Sequence, residues 1–443
     1  MLSWLAMKMM DPMMDDVLIK MLTEDYPDNP FVMTTIGQKL TPMAIVEAGI
    51  RAELGTELMR PIGSPVVLSP WEKILLSGKQ LFQFPTQDLN QIDTKTMIGP
   101  NATKPLQLDI PIMITGMSYG GSLSLQMKMA LAKGASMAGT SSNTGESAVT
   151  NEERDNAKYL IGQYHRGGWL NTQEQLERLD AIEVQFGQGA FGGAVESTAK
   201  ANTIGEHLRM TWHLKEGEDG IISSRFPNVS TPQDVVNLIA NLKDQYEVPI
   251  GIKIAGSDYI EQEMEVIAQT NADYIVIDGA EGGTAVAPPT LEDHMGLPTL
   301  HTLSRTVDWL VENNARNRFS LIAGGGLKTP GHFLKAIALG ADAVYIGSIA
   351  LMAALQSQMT IALPQAPAPQ LALYIGKLND KLDIDKAALH LANFLKSSVA
   401  EMKLAVQATG KNAIKELDRN DLVTVDRDLA EFLKIRYAAS PRK

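Results

Sequence analysis

The sequence predicts an α/β protein, specifically a (β/α)₈ TIM barrel with mainly helical extensions at its N-terminal and C-terminal ends. From about residue 105, short apolar runs alternate with longer stretches of helical character. The apolar runs are nearly uninterrupted, which indicates strands buried on both faces, as in a parallel sheet. Eight β/α units within roughly 250 residues match a closed barrel.

Each predicted strand is a short apolar segment that ends in a polar or glycine-rich loop. Stretches such as TPQDVVNLIANLKDQY predict helices between them. An open doubly wound sheet is the alternative, but it would need fewer strands and would usually place its glycine loop after the first one. The predicted strands are PIMIT (111–115), SMAGT (136–140), AIEVQF (181–186), DGIIS (219–223), PIGIKI (249–254), ADYIVID (272–278), FSLIA (319–323) and DAVYIG (342–347).

The chain divides into three predicted parts. Residues 1–104 precede the barrel and mix helical stretches with loops, and residues 105–350 form the barrel itself. Residues 351–443 are predicted to be mainly helical, because apolar residues recur at helical spacing up to Gly410. We expect both extensions to pack on the barrel rather than to fold as independent domains.

Composition narrows the functional classes. The 443 residues carry a net charge of −12 and no basic stripe, which argues against a nucleic-acid partner. The absence of cysteine excludes disulfides, thiolate nucleophiles and cysteine-ligated zinc or iron–sulfur clusters in this chain. No histidine pair has metal-ligand spacing on a helix, so no metal site is predicted. A cytoplasmic protein is the expectation.

The N-terminal segment is rich in methionine. Its apolar stretch is about ten residues long, too short to span a bilayer. A core-packing helix is the simplest interpretation of residues 1–14, and peripheral association with a membrane surface through these residues is the alternative.

A triple-glycine loop follows the seventh predicted strand, in the stretch FSLIAGGGLKT (319–329). Glycine lets backbone N–H groups approach a ligand closely, and the helix predicted to begin near Pro330 adds partial positive charge. Strand, glycine loop and helix start together predict an anion site, with phosphate as the candidate.

Most of the other predicted strands also end in loops rich in Gly, Ser or Thr, and a barrel brings these loops to one face. Together they indicate a large, flat, polar ligand pressed against backbone, and a flavin meets this description. Lys253, in mid-strand, would place a cation beside its ring. Ordinary turn chemistry is the alternative for the glycines, and a buried ion pair with Asp278 is the alternative for Lys253. Glu146 is either a cap or a pocket residue.

Six segments carry a resemblance to a known family. They are LDIPIMITGMSYG, GASMAGTSSNTGESAVTNEER, DAIEVQFGQGA, DYIVIDGAEGGTAVAP, LIAGGGLKT and LGADAVYIGSIALM. From about Leu68 to the C-terminus the chain resembles the FMN-binding domain of glutamate synthase, close to the N-methylglutamate synthase subunit type. The resemblance implies a barrel that holds FMN. It also implies hydride transfer from reduced FMN to an imine, formed from a 2-oxo acid and ammonia or an amine, to give an amino acid.

The resemblance also implies roles for individual residues. Lys253, Glu146 and Arg209 would be the catalytic and substrate-binding side chains. The residues implied against the flavin are Met117, Ser118, Tyr119, Ser142, Asn143, Gln185 and Lys253; those around its ribityl and phosphate end are Asp278, Gly282, Gly283 and Thr284; those holding the phosphate are Gly325, Gly326, Gly347 and Ser348.

Three departures from the family pattern bear on substrate and partners. Phe191 stands where the family has a lysine that helps to hold the 2-oxo acid, so a substrate less charged than 2-oxoglutarate is plausible. The cysteine cluster of larger members is missing, so electrons must come from a reductase or a nicotinamide. The glutaminase domain is also missing, so ammonia must come from solution or from an amidotransferase partner.

Two other classes of function stay open at this point. One is a flavin-barrel isomerase or oxidase with another substrate. The other is a non-catalytic flavin-binding subunit, and a homo-oligomer is possible for any of them.

Overall fold

The computed structural model describes residues 2–285, 287–363 and 365–442, with side chains described from residue 12 onward. They form two compact units that divide between Met59 and Arg60. The first unit contains three helices, α1 (Leu2–Thr23), α2 (Val32–Leu40) and α3 (Pro42–Leu54). Packing of this N-terminal segment on the barrel stays a prediction.

The segment for which peripheral membrane association was considered, residues 1–14, lies mostly outside the described side chains. In the described part of the chain, no helix combines the length and the apolar character that a membrane span requires.

The second unit contains a nearly closed barrel of eight parallel strands, which confirms the predicted (β/α)₈ fold. Around the barrel, β1 pairs with β8, and the order then descends through β7, β6, β5, β4 and β3 to β2. The strands are β1 (Ile112–Ile114), β2 (Ser141–Asn143), β3 (Tyr159–Tyr164), β4 (Ala181–Gln185), β5 (Ile250–Ala255), β6 (Tyr274–Asp278), β7 (Ser320–Gly324) and β8 (Ala343–Ile346).

Two of the eight predicted strands were wrong, and two barrel strands were missed. SMAGT (136–140) forms the end of a helix and a turn at Gly139, whose φ is 73°; the strand is the polar segment just after it, Ser141–Asn143. The segment DGIIS supplies Gly220–Ile222, which pairs antiparallel with Ser197–Ala199 outside the barrel. The other missed barrel strand is Tyr159–Tyr164, between β2 and β4, where an internal glycine and glutamine interrupt the apolar run.

Helices connect most of the strands and continue into the C-terminal region. The glycine loop after β7 leads into a helix that begins at Pro330, as expected. The helices are α4 (Leu125–Met137), α5 (Asn151–Asn156), α6 (Gln173–Leu176), α7 (Glu206–Thr211), α8 (Pro232–Gln245), α9 (Ile260–Ala268), α10 (Pro289–His294), α11 (Thr299–Glu312), α12 (Pro330–Ala338), α13 (Ser348–Leu355), α14 (Met359–Ala362), α15 (Ile384–Ala408) and α16 (Arg427–Phe432).

The N-terminal end of the barrel is closed by apolar side chains. A hairpin of Thr96–Ile98 and Leu106–Leu108 contributes Ile98, Leu106 and Leu108 to the cluster that fills the barrel interior. These three side chains are at most 2% exposed. Polar side chains inside the barrel therefore have access to a ligand only at its C-terminal end.

The C-terminal region packs on the barrel mainly through α15. Gly134 of α4 allows this helix to approach closely, because a Cβ at that position would lie 2.9 Å from the Ala388 carbonyl oxygen. Beyond α15, strand Leu422–Thr424 joins Ile74–Leu76 and Arg436–Tyr437 in a small separate sheet.

Two leucines of α15 provide a matched test of this packing. Leu395 is fully buried, whereas Leu404 is 55% exposed. We expect Leu395→Ala to lower the free energy of unfolding by about 2–5 kcal/mol, because it removes buried methyl groups and leaves a cavity. Leu404→Ala should change it by no more than about 0.5 kcal/mol. Urea unfolding measures both, and equal losses would show that α15 is not docked as described.

Candidate active site

A buried lysine marks the C-terminal end of the barrel. Lys253 on β5 is 3% exposed, and its Nζ lies 3.2 Å from an oxygen of Asp278 at the end of β6. Burial alone would lower the pKa of Lys253, but attraction to the carboxylates of Asp278, Glu183 and Glu146 outweighs it and raises the pKa. The raised pKa favours the cationic form of Lys253, and the ion pair with Asp278 that was the alternative interpretation for this residue is present.

Glu183 is the centre of a polar network inside the barrel. Its carboxylate is fully buried and accepts hydrogen bonds from Gln163 Nε2 at 2.7 Å and from the Tyr345 hydroxyl at 2.8 Å. The Asn143 amide lies 3.4 Å from the same carboxylate and 3.3 Å from the Tyr345 hydroxyl. Burial raises the pKa of Tyr345, with the charge of Glu183 as a second cause, so this phenol stays a donor.

Gln185 is buried beside Lys253 with its amide unused. The two residues are register partners on β4 and β5, so their side chains project from the same face. Neither the nitrogen nor the oxygen of the Gln185 amide has a hydrogen-bond partner among the described residues. A buried amide without partners is costly, which makes this position a candidate ligand contact.

At the rim, Glu146 pairs with an arginine that the sequence did not single out. Arg166, in the loop after β3, donates from Nη2 to Glu146 Oε1 at 3.1 Å and from Nη1 to the carbonyl oxygen of Ser223 at 2.9 Å. A pocket role for Glu146 stays a prediction. Arg209, predicted to bind substrate, lies on α7 and donates to the Leu214 carbonyl at 3.2 Å.

The triple-glycine loop requires glycine for two different reasons. Gly325 and Gly326 have φ values of 107° and 68°, a region that side chains disfavour. A Cβ on Gly325 would also lie 2.5 Å from Thr299 Oγ1 and 2.9 Å from Gly279 N. Thr299, at the start of α11, supports the loop through its hydroxyl, 2.8 Å from the Gly325 carbonyl oxygen.

The loops after β6, β8 and β1 approach one another closely. A Cβ on Gly283 would lie 2.5 Å from Ser348 Oγ, which brings the loops after β6 and β8 together. A Cβ on Gly347 would lie 3.0 Å from Thr115 and 3.9 Å from Met117 Sδ. These distances place the loops after β1, β6 and β8 side by side at the C-terminal end of the barrel, and contact of the predicted phosphate and flavin residues with a ligand stays a prediction.

Gly282 and Thr284 flank this contact. A Cβ on Gly282 would lie 2.9 Å from Asp278 Oδ1, and the Thr284 carbonyl accepts the Ile62 N–H at 2.9 Å.

The remaining predicted flavin residues lie in the loop after β1 and on β2, with different orientations. Met117 and Ser118 are half-buried after β1. Asn143 turns into the barrel, whereas Ser142 pairs with Leu160 and so faces the surrounding helices. The Tyr119 hydroxyl lies 2.9 Å from His207 Nδ1, in a cluster with Trp169 and Trp212. Contact of each with a flavin stays a prediction.

Phe191 lies in a tight turn after β4. Its N–H donates to the Gln188 carbonyl at 3.2 Å, and Gln188 pairs across the turn with Gly193. Gly192 and Gly193 have φ values of 58° and 150°, which allows the short loop seen in the sequence. The side chain is half-buried and supplies no charge to the site.

Glu183, Gln163 and Arg166 are the site residues that sequence reasoning missed. Glu183 and Gln185 occur at alternate positions of an otherwise apolar strand, and this alternation was an available signal for two polar side chains on one face. No comparable signal connected Arg166 with Glu146, because the two residues belong to loops after different strands. Among the described residues, no group of three His, Asp or Glu side chains is placed to hold a metal ion.

His165 lies next to Arg166 and is fully buried. Its Nδ1 accepts the Gly167 N–H at 3.1 Å, and its ring packs edge-on against Trp169. Burial, and to a smaller degree the charge of Arg166, lower the pKa of His165 to about 3.

The depressed pKa of His165 predicts acid sensitivity. The unfolded chain binds a proton at this histidine near its ordinary pKa of 6.5, whereas the folded chain does so only near 3. Stability from this group is therefore complete above pH 6.5 and is lost as the pH falls toward 3, by up to about 1.4 kcal/mol per pH unit. His165→Asn keeps an acceptor for Gly167 but does not titrate, so its free energy of unfolding should decline less steeply. Parallel pH profiles from urea unfolding would contradict this.

Solved structures share the barrel at low sequence identity. The flavin-binding domain of baker's yeast flavocytochrome b2 superimposes with a TM-score of 0.51 at 15% identity, over 87% of this chain and 84% of that one. This similarity shows the fold alone.

Sequence comparison is more specific. A glutamate synthase large subunit-like protein of Rhizobium meliloti is 30% identical over 436 residues, which cover 93% of this chain and 97% of that protein. An archaeal glutamate synthase [NADPH] of Methanocaldococcus jannaschii is 33% identical over 368 residues, which cover 81% of this chain and 71% of that protein. The family model described as a conserved region in glutamate synthase matches residues 75–412. The chain therefore belongs to the glutamate synthase family, as its motifs indicated.

Proposed function

We propose that this protein is an FMN-dependent oxidoreductase of the glutamate synthase type, acting on an imine formed from a 2-oxo acid and ammonia or an amine. The observation that carries the proposal is the unpartnered, fully buried amide of Gln185 beside the cation of Lys253 at the open end of the barrel. An amide beside a cation at this end of the barrel suits a flavin ring. Such a ring has both hydrogen-bond donor and acceptor atoms and gains negative charge on reduction.

The residues at the C-terminal end of the barrel fit FMN. Gly325, Gly326, Gly347 and Ser348 would hold the phosphate, supported by positive backbone φ in the first two and by the start of α13 at Ser348. Gln185 and Lys253 would hold the ring. Asp278 pairs with Lys253, with 3.2 Å between its carboxylate oxygen and the lysine Nζ. When bound, FMN supplies the hydride that reduces the imine carbon.

The charge pattern of the mouth favours a substrate with a single carboxylate. Lys253 is paired with Asp278, and Arg166 is paired with Glu146, so both buried cations are already balanced by carboxylates of the chain. A second substrate carboxylate would need another cationic donor, and Phe191 does not provide one. Arg209 on α7 is the remaining candidate to bind the oxo-acid carboxylate.

Glu146 is proposed to act at the amine end of the substrate. Its carboxylate is fixed by Arg166 at the rim, and its charge reaches Lys253, since it contributes to the raised pKa of that lysine. An ionised carboxylate in this position attracts an ammonium or iminium group and can accept a proton from it.

The supply of electrons and ammonia is proposed to come from outside this chain. With no cysteine there is no thiolate-ligated cluster to relay electrons. A reductase or a nicotinamide would reduce FMN, and an amidotransferase partner or free amine would supply nitrogen.

Flavin content tests the proposal directly. The purified protein should show a flavin absorption spectrum, or acquire it with added FMN, and should release FMN on denaturation. Gly325→Ala should lose most of this flavin, because its Cβ would meet Thr299 and its φ is 107°. Gly331→Ala is the matched control, since a Cβ there has only Thr329 Oγ1 at 3.8 Å nearby. If the parent protein binds no FMN, the proposed cofactor is wrong. If Gly325→Ala binds as much FMN as the parent, the phosphate does not bind at Gly325.

Substrate choice tests the charge argument. With reduced FMN, oxo acids bearing one carboxylate should oxidise the flavin faster than 2-oxoglutarate in the presence of ammonia or methylamine. Phe191→Lys should shift this preference toward 2-oxoglutarate by about tenfold, because it adds a donor for a second carboxylate. Stopped-flow flavin absorbance and identification of the amino-acid product measure this. A parent that already prefers 2-oxoglutarate would contradict the assignment.

A further inference from the structure

A buried ammonium group lies behind the first two loops of the candidate site. Lys128 on α4 is 2% exposed. Its Nζ donates to three backbone carbonyls, those of Met117 at 2.7 Å, Asn143 at 2.6 Å and Thr144 at 3.3 Å. One side chain therefore joins the loop after β1 to the loop after β2.

The charge of Lys128 is balanced from α5. Glu153 is 1% exposed, and its Oε1 lies 2.9 Å from Lys128 Nζ. Because the three N–H groups of the ammonium point at carbonyls, the contact with Glu153 is ionic. Burial raises the pKa of Glu153 even though Lys128 opposes this. A buried ion pair contributes less to stability than apolar packing of similar volume. Stability alone therefore does not explain why Lys128 and Glu153 are buried here.

The orientation of one peptide group supplies that explanation. A trans peptide points its C=O and the following N–H in opposite directions. With the Met117 carbonyl held by Lys128, the Ser118 N–H points away from the ammonium, and none of the described residues accepts it. Ser118 is half-buried in the loop after β1. The same peptide is pressed against Gly145, where a Cβ would lie 2.5 Å from Ser118 N.

We propose that Lys128, balanced by Glu153, is a positioning residue for the flavin. It holds the first two loops in register so that the Ser118 N–H and the inward-facing Asn143 are presented to the cofactor. This inference rests on the proposed function, since it assigns a task to residues behind the proposed FMN site.

The test compares FMN binding with stability in four apoproteins. They are the parent, Lys128→Met, the double variant Lys128→Met/Glu153→Gln, and Lys133→Met. Lys133 is the control because it lies on the same helix but is exposed, in an ion pair with Asp385. Quenching of FMN fluorescence gives the dissociation constant, thermal unfolding without FMN gives stability, and the visible circular dichroism of bound FMN reports its surroundings.

We expect Lys128→Met to weaken FMN binding by about tenfold or more, since hydrogen bonds from a charged donor to three carbonyls are lost. The double variant leaves no uncompensated buried charge, so its apoprotein should melt at a higher temperature than the single variant. Its FMN affinity should nevertheless stay low and its flavin circular dichroism should differ from the parent's. Lys133→Met should match the parent.

Failure of this inference and failure of the proposed function would give different results. A double variant that binds FMN with the parent's affinity and circular dichroism would show that Lys128 serves stability alone and would overturn the inference, as would an equal loss in Lys133→Met. If Lys128→Met alone fails to fold, the comparison of the double variant with the parent still tests the inference. A parent that binds no FMN would instead refute the proposed function.

Discussion

The pairing of charges inside the barrel is the constraint on which the candidate site depends. Lys253 keeps its charge in a buried position only because Asp278 lies 3.2 Å away and Glu183 and Glu146 add their attraction. Glu183 in turn is satisfied by Gln163 and Tyr345. An isolated charge at this depth would neutralise or unfold its surroundings. The site can therefore present a cation to a ligand without a large cost in stability.

The two ends of the barrel differ in the kind of residue that they contain. At the N-terminal end, Ile98, Leu106 and Leu108 exclude water from the interior and contribute apolar burial. At the C-terminal end, glycine turns let backbone approach a ligand, and Gln185 is left with an unsatisfied amide. Apolar burial is concentrated at the first end and the proposed ligand-binding residues lie at the second, as is general for this fold.

Family membership and geometry constrain the function at different levels. The match over residues 75–412 shows that the chain belongs to the glutamate synthase family, whereas the charge pairings at the end of the barrel come from its structure. Arg166 pairs with Glu146, and Phe191 contributes no charge. The number of free cationic donors at the site therefore depends on pairings rather than on the presence of a motif, and the proposed choice of oxo acid rests on that number.

The sequence by itself determined the barrel class, the glycine turn after the seventh strand and the inward cation at Lys253, because these follow from local periodicity, turn chemistry and strand position. It did not identify the strands Ser141–Asn143 and Tyr159–Tyr164, which are polar or interrupted. Ser141–Asn143 is a strand because it pairs with Tyr159–Tyr164, which in turn pairs with Ala181–Gln185 on its other side. The tertiary structure alone decided that Arg166 meets Glu146 and that Lys128 joins two loops. Such contacts join segments that are separate in the chain, so their energies appear only when the barrel closes.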